Sequence, residues 1–144
     1  MVEATATIEP VLLAKEAFLE KMIEIPELEQ ALGHIPNTVD STALVMRYVD
    51  EEVAREATGG LAMVNQIYLV ELYCFGYDRP EMQERFERIV LQKRQILRSN
   101  PLLDRTIKKR FEVTRLGDPQ VVLLSGNPVV RQQWRYSYEM QVAR

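Results

Sequence analysis

The C-terminal stretch limits the choice of fold more than any other part of this chain. Residues 129–144 read VVRQQWRYSYEMQVAR, in which Trp134, Tyr136, Tyr138, Met140 and Val142 alternate with Arg135, Ser137, Glu139, Gln141 and Ala143. A period of two places the two sets on opposite faces of a strand, one buried and one wet. At about 3.3 Å per residue this strand would reach about 50 Å. That is longer than a 144-residue domain needs, so it must bend at a bulge or project as part of a hairpin.

A strand of this kind needs neighbours, and the sequence offers several. Residues 61–75 (LAMVNQIYLVELYCF) become apolar on both parities from Ile67 onward, the pattern of a central strand covered on both faces. Residues 42–49 (TALVMRYV) suit a strand, and the charged stretch 50–60, ending Thr58-Gly59-Gly60, suits a long mobile loop back. Residues 106–116 alternate loosely, with Ile107, Phe111 and Val113 on one parity, and turn at Gly117-Asp118-Pro119. Residues 120–124 form a short strand or a loop insert, and Ser125-Gly126-Asn127-Pro128 turns the chain into the last strand.

Two segments have helical periodicity. In residues 8–24, Val11, Leu12, Ala14, Phe18, Leu19, Met22 and Ile23 recur at three- and four-residue steps, with Pro10 fitting only in the first turn. Residues 26–32 form at most two short turns, ended by Gly33 as a left-handed cap, and 34–41 is loop. The second helix opens with Asp78 as N-cap, Glu81 as its reciprocal partner and Pro80 in the first turn, and runs to about Arg98. Its stripe is Met82, Phe86, Ile89, Val90, Ile96 and Leu97, while Lys93, Arg94 and Arg98 complement the dipole at its end. The expected fold is α+β: a mainly antiparallel four- to five-stranded sheet with two helices packed on one face. Trp134, Tyr136, Tyr138 and Met140 should share one core with Ile67, Leu69, Phe86 and Ile89.

The net charge of −3 conceals an asymmetry. Residues 1–58 carry 12 acids and 4 bases, whereas residues 59–144 carry 9 acids and 14 bases. Such polarity is either plain solvated charge or a means for one copy's acidic surface to meet the basic surface of the next. Contacts of the second kind close into rings. The candidate partner-binding residues are Asp50, Glu51 and Glu52 on the acidic side and Lys108, Lys109 and Arg110 on the basic side.

Signs of catalysis are absent from the sequence. Its single His34 and single Cys74 stand alone, with no metal-ligand spacing and no CxxC pair. Neither a nucleophile elbow nor a phosphate-binding glycine loop is present. No catalytic residue, metal or cofactor is expected. The N-terminus opens with acids instead of a basic signal region, which predicts synthesis in the cytosol. Residues 79–110 hold ten bases and four acids, but aromatic residues do not interleave with them as a sequence-specific nucleic-acid site would require.

The order of elements resembles the tail terminator (tail completion, or minor tail) proteins of long-tailed bacteriophages. The resembling parts are an N-terminal helix followed by the short acidic turn PELEQALG, a returning strand that reads QIYLVELYCFGYDRPE straight into a helix, and a last strand of the type RQQWRYSYEMQV. The likeness covers most of the chain and is one of architecture and local style. It implies a single α+β domain over residues 1–144, with no catalytic residues. Six copies would form a ring at the head-proximal end of the tail tube, at the tail–neck junction of the virion. The implied partners are the chain itself, the tail tube protein and the head–neck connector, with the sheath added where the tail contracts. DNA would pass through the ring without sequence-specific binding, and no membrane is involved. Another neck or connector component would share the fold. A compact α+β ligand-binding or regulatory module is the reading from a different class, and it requires a polar pocket that the sequence does not locate.

Overall fold

The structure is a computed structural model that describes the backbone of residues 2–56 and 59–143. Along the chain run α1 (Val2–Met22), β1 (Gln30–Leu32), β2 (Thr42–Glu56), β3 (Leu61–Cys74), α2 (Pro80–Ser99), β4 (Glu112–Arg115), β5 (Gln120–Leu124) and β6 (Asn127–Ala143). The strands form one sheet in the order β1-β2-β3-β6-β4, with β5 also paired to β6. Every pairing is antiparallel except β1 with β2. This is the expected α+β class, with six strands where four or five were expected.

One face of the sheet carries the main core. Leu44 and Met46 of β2, Tyr68, Val70 and Leu72 of β3, and Trp134, Tyr136 and Tyr138 of β6 are buried there beneath both helices. α1 contributes Val11, Ala14, Phe18 and Met22, and α2 contributes Met82, Phe86 and Ile89. The aromatic rings meet mostly edge to face, Phe18 on Tyr136 at 5.3 Å and Phe111 on Tyr136 at 5.4 Å, a geometry their quadrupoles favour. The Tyr68 hydroxyl donates to the Val11 carbonyl at 2.8 Å, so burial there leaves no polar atom unpaired. Met140 is only partly buried against this core. Ile67 and Leu69 belong to the other parity of β3, opposite Ser137 and Arg135, and so face away from the helices instead of joining the core.

Other local expectations are corrected as well. The charged stretch expected to be a loop continues β2 as strand to Glu56, with bulges between Tyr48 and Asp50 and between Val53 and Arg55. An edge strand tolerates such residues because its acids stay in water while its backbone pairs on one side. Thr58 of the expected turn and Arg144 of the expected last strand lie outside the described residues. Residues 30–32 form a strand in place of a turn. The Glu29 N–H donates to Thr42 Oγ1 at 3.1 Å while the Thr42 hydroxyl donates to the Glu27 carbonyl at 2.7 Å, fixing this segment beside β2. Gly33 is not left-handed. Instead Lys15 lies across it, with Lys15 Nζ donating to the Gly33 carbonyl at 3.0 Å.

Both helix starts also differ from expectation. α1 begins at Val2 and continues through Pro10, forgoing the bond that an N–H at that position would donate. α2 has Arg79, not Asp78, at its N-cap, with no side-chain cap bond. Pro80, with its fixed φ and missing N–H, takes the first helical position and sets the cap one residue later. After α2, Leu103, Asp104 and Arg105 all have positive φ, at 47°, 54° and 69°. Such non-glycine residues cost roughly 1–2 kcal/mol each. Leu103, fully buried, and the reciprocal bonds between Asn100 and Asp104 hold this left-handed turn, and it shortens the expected 106–116 strand to β4. The β5–β6 turn is tighter than the expected Ser125-Gly126-Asn127-Pro128: Ser125 and Gly126, at φ 49° and 82°, make a two-residue hairpin turn, and Asn127 and Pro128 already belong to β6.

Candidate functional site

The six charged residues singled out from sequence fall on opposite sides of the sheet. Asp50, Glu51 and Glu52 are exposed on β2, whose outer edge beyond Val45 has no partner strand among the described residues. Lys108, Lys109 and Arg110 are exposed in the segment leading into β4, the strand that lies beyond β6. Part of this charge is spent within the chain. Glu52 pairs with Arg135 at 3.2 Å, Lys109 with Glu139 at 3.2 Å, and Glu51 accepts from Gln66 at 2.8 Å. Asp50, Lys108 and Arg110 make no ion pair among the described residues. Among the described residues the β6 segment past Ser137 likewise has no partner strand on its β4 side, because β4 begins at that register.

On the face away from the helices, Glu71 is a fully buried carboxylate. Arg47 donates to its Oε1 through Nε at 3.2 Å and Nη2 at 2.9 Å, while Gln133 donates to Oε2 at 3.0 Å and Arg131 lies 3.7 Å from that oxygen. The register sets this cluster, because Glu71 stands directly between Val45 and Gln133. Glu71 accepts three hydrogen bonds here, and the Nε of Arg131 beside it is buried with no partner among the described residues.

On the helix face, Lys93 is the opposite case. It is 2% exposed, donates to the Tyr136 hydroxyl, and its Nζ lies 3.9 Å above the Trp134 ring centre. No carboxylate lies within 4 Å of it among the described residues. Burial, with the nearby Arg94 charge adding to it, pushes its pKa down to about 7. Lys93 forms part of the wall of a cleft of about 730 Å³ between the second half of α2 and the β4–β6 edge.

Sequence reasoning placed Lys93 among the solvated bases at a helix end and missed its burial. The signal was present: Met82, Phe86, Ile89 and Lys93 follow one another at steps of four, three and four, the spacing of one buried face. Glu71 was hidden within an apolar run. Among the described residues no three of His, Cys, Asp and Glu are grouped to hold a metal, and no helix is long and apolar enough to cross a membrane. No family model and no curated protein sequence matches this chain.

Proposed function

We propose that this chain is a structural assembly protein that joins copies of itself edge to edge into a ring, and that it is the tail terminator of a long-tailed bacteriophage. The observation that carries the reading is the placement of Asp50, Glu51 and Glu52 on β2, toward one edge of a single sheet, and of Lys108, Lys109 and Arg110 in the segment that leads into β4, the strand at the other edge. Two different, complementary edges favour a head-to-tail contact, which closes into a ring when the rotation between copies permits. Unpaired strand edges at β2 and at the end of β6 supply backbone donors and acceptors for the same contact. The resemblance in element order supplies the number six, the place at the head-proximal end of the tail tube, and the tube and connector proteins as partners. The ring reading requires no catalytic group.

Electron cryomicroscopy of the assembled particle tests this directly. The expected result is a closed ring of this chain, in several copies, between tail tube and neck. A single copy, or absence from that level, would overturn the terminator assignment. Fixed at another level of the neck, the same ring would favour the connector reading instead.

A further inference from the structure

The cleft beside Lys93 shares only Arg110 with the residues of the proposed ring contact. Its charged lining is Lys93, Arg94 and Arg98 from α2 and Arg110, Glu112 and Arg115 from the β4 side, five cations to one acid. Its floor is apolar and aromatic, formed by Leu97, Phe111 and Trp134. At about 730 Å³ it falls in the size range of small-molecule sites, which are commonly apolar with a few convergent polar groups.

Lys93 supplies the convergent group. An ammonium has three N–H donors, and the structure gives Lys93 one acceptor, the Tyr136 hydroxyl. A buried cation without an anion is costly, and the flanking aromatic rings offset only part of that cost. Glu112, the one acid of the lining, is exposed on β4 and makes no ion pair with it. An anion entering the cleft would therefore find an unspent, desolvated donor at the floor and guanidinium groups at the rim. A monoanion suits a dry aromatic floor better than a phosphate dianion, whose desolvation costs more. We propose that this cleft is a binding site for a small carboxylate with an apolar body, its carboxylate on Lys93 and Arg94 and its body against Trp134, Phe111 and Leu97.

Binding of this kind carries a proton signature. With its amine near neutrality in the free protein, Lys93 takes up a proton from solvent when the carboxylate arrives, because an opposite charge in contact favours the ionised amine. The other groups facing it are Tyr136, whose own pKa burial raises, and the four guanidinium groups and Glu112 of the lining. The arginines stay charged across the accessible range.

The test uses the full chain and 4-phenylbutyrate as probe, with 4-phenylbutanol and 4-phenylbutylamine as neutral and cationic counterparts, by calorimetry in two buffers of different ionisation enthalpy. The expected result is that the carboxylate binds and the amine does not. Proton uptake at about pH 8 should be detectable, and the affinity should fall about twentyfold from about pH 6.5 to about pH 8.5. Lys93→Met should weaken binding at least about tenfold. Arg94→Gln, at an exposed position that does not hold the core, should weaken it less. Binding that is equal for alcohol and carboxylate, unchanged in Lys93→Met, or absent at millimolar probe would overturn the proposal. So would a cleft that takes a single-stranded oligonucleotide in preference, with Lys93→Met without effect.

Discussion

The two faces of the sheet each bury one charge and treat it oppositely. Glu71 on the open face is enclosed by Arg47, Gln133 and Arg131, whereas Lys93 under the helices meets one phenol and two aromatic rings. A buried charge with its partners in place is part of the scaffold, since removing it strands the partners. One without an opposite charge destabilises the scaffold and marks a place open to another molecule.

The largest consequence concerns Glu71. Glu71→Ala is expected to cost about 3–5 kcal/mol in denaturant unfolding near neutral pH, because Arg47 and Arg131 lose their shared carboxylate. Lys93→Met, at equal burial, should fall within about 1 kcal/mol of the parent or exceed it in stability, since it removes an uncompensated cation and leaves one phenol unpaired. Equal, large losses at both sites would break the contrast.

A second expectation concerns pH. The native-state pKa of Lys93, about 7, lies below that of an unfolded lysine, so between about pH 7 and pH 10 the unfolded chain binds more protons. Stability relative to Lys93→Met should therefore rise with pH through that window, by a few kcal/mol in order of magnitude, and be lost again as pH falls toward 7. The comparison is best confined to about pH 9.5 and below. Above that, the buried tyrosines Tyr68, Tyr136 and Tyr138, whose pKa values burial raises, begin to favour the unfolded chain. A flat difference between the two proteins would show that Lys93 has an anionic partner in the folded state.

The smallest effect belongs to the exposed pair of Glu52 and Arg135. A double-mutant cycle on this pair should give a coupling below about 1 kcal/mol that fades with added salt. A coupling as large as that of Glu71 with Arg47 would make the sheet edge part of the scaffold and weaken its case as an interface.

The sequence disclosed what period and turn chemistry encode. The alternation from Trp134 to Tyr138 and the stripe Met82, Phe86, Ile89 lie on the core face as read, and the Ser125-Gly126 turn joins strands as read. It did not disclose what pairing decides. β1 is three residues long and rests on a hydrogen-bond staple at Thr42, and β2 runs through a charged stretch whose residues favour loops. The candidate edge residues were legible as charge clusters. Their position at opposite sides of one sheet depends on the strand order, which no local pattern records. Lys93 was misread because charge was given more weight than its place in the helical period.

Edge-to-edge assembly, the central claim, is tested most directly by a disulfide across the expected contact. Asp50 shares a row with Ile67, Ser137 and Glu112, roughly three strand spacings or about 14 Å from Glu112, and Lys108 lies in the segment leading into β4. An intrachain bridge needs about 7 Å or less, and oxidation of the dilute, unassembled double variant is the control for one. The native thiol, Cys74, is buried. The Asp50→Cys, Lys108→Cys protein, oxidised in assembled particles, should give a ladder of covalent oligomers ending at a closed ring, while each single variant gives at most a dimer. Monomer alone from the double variant in intact particles would contradict the edge-to-edge ring.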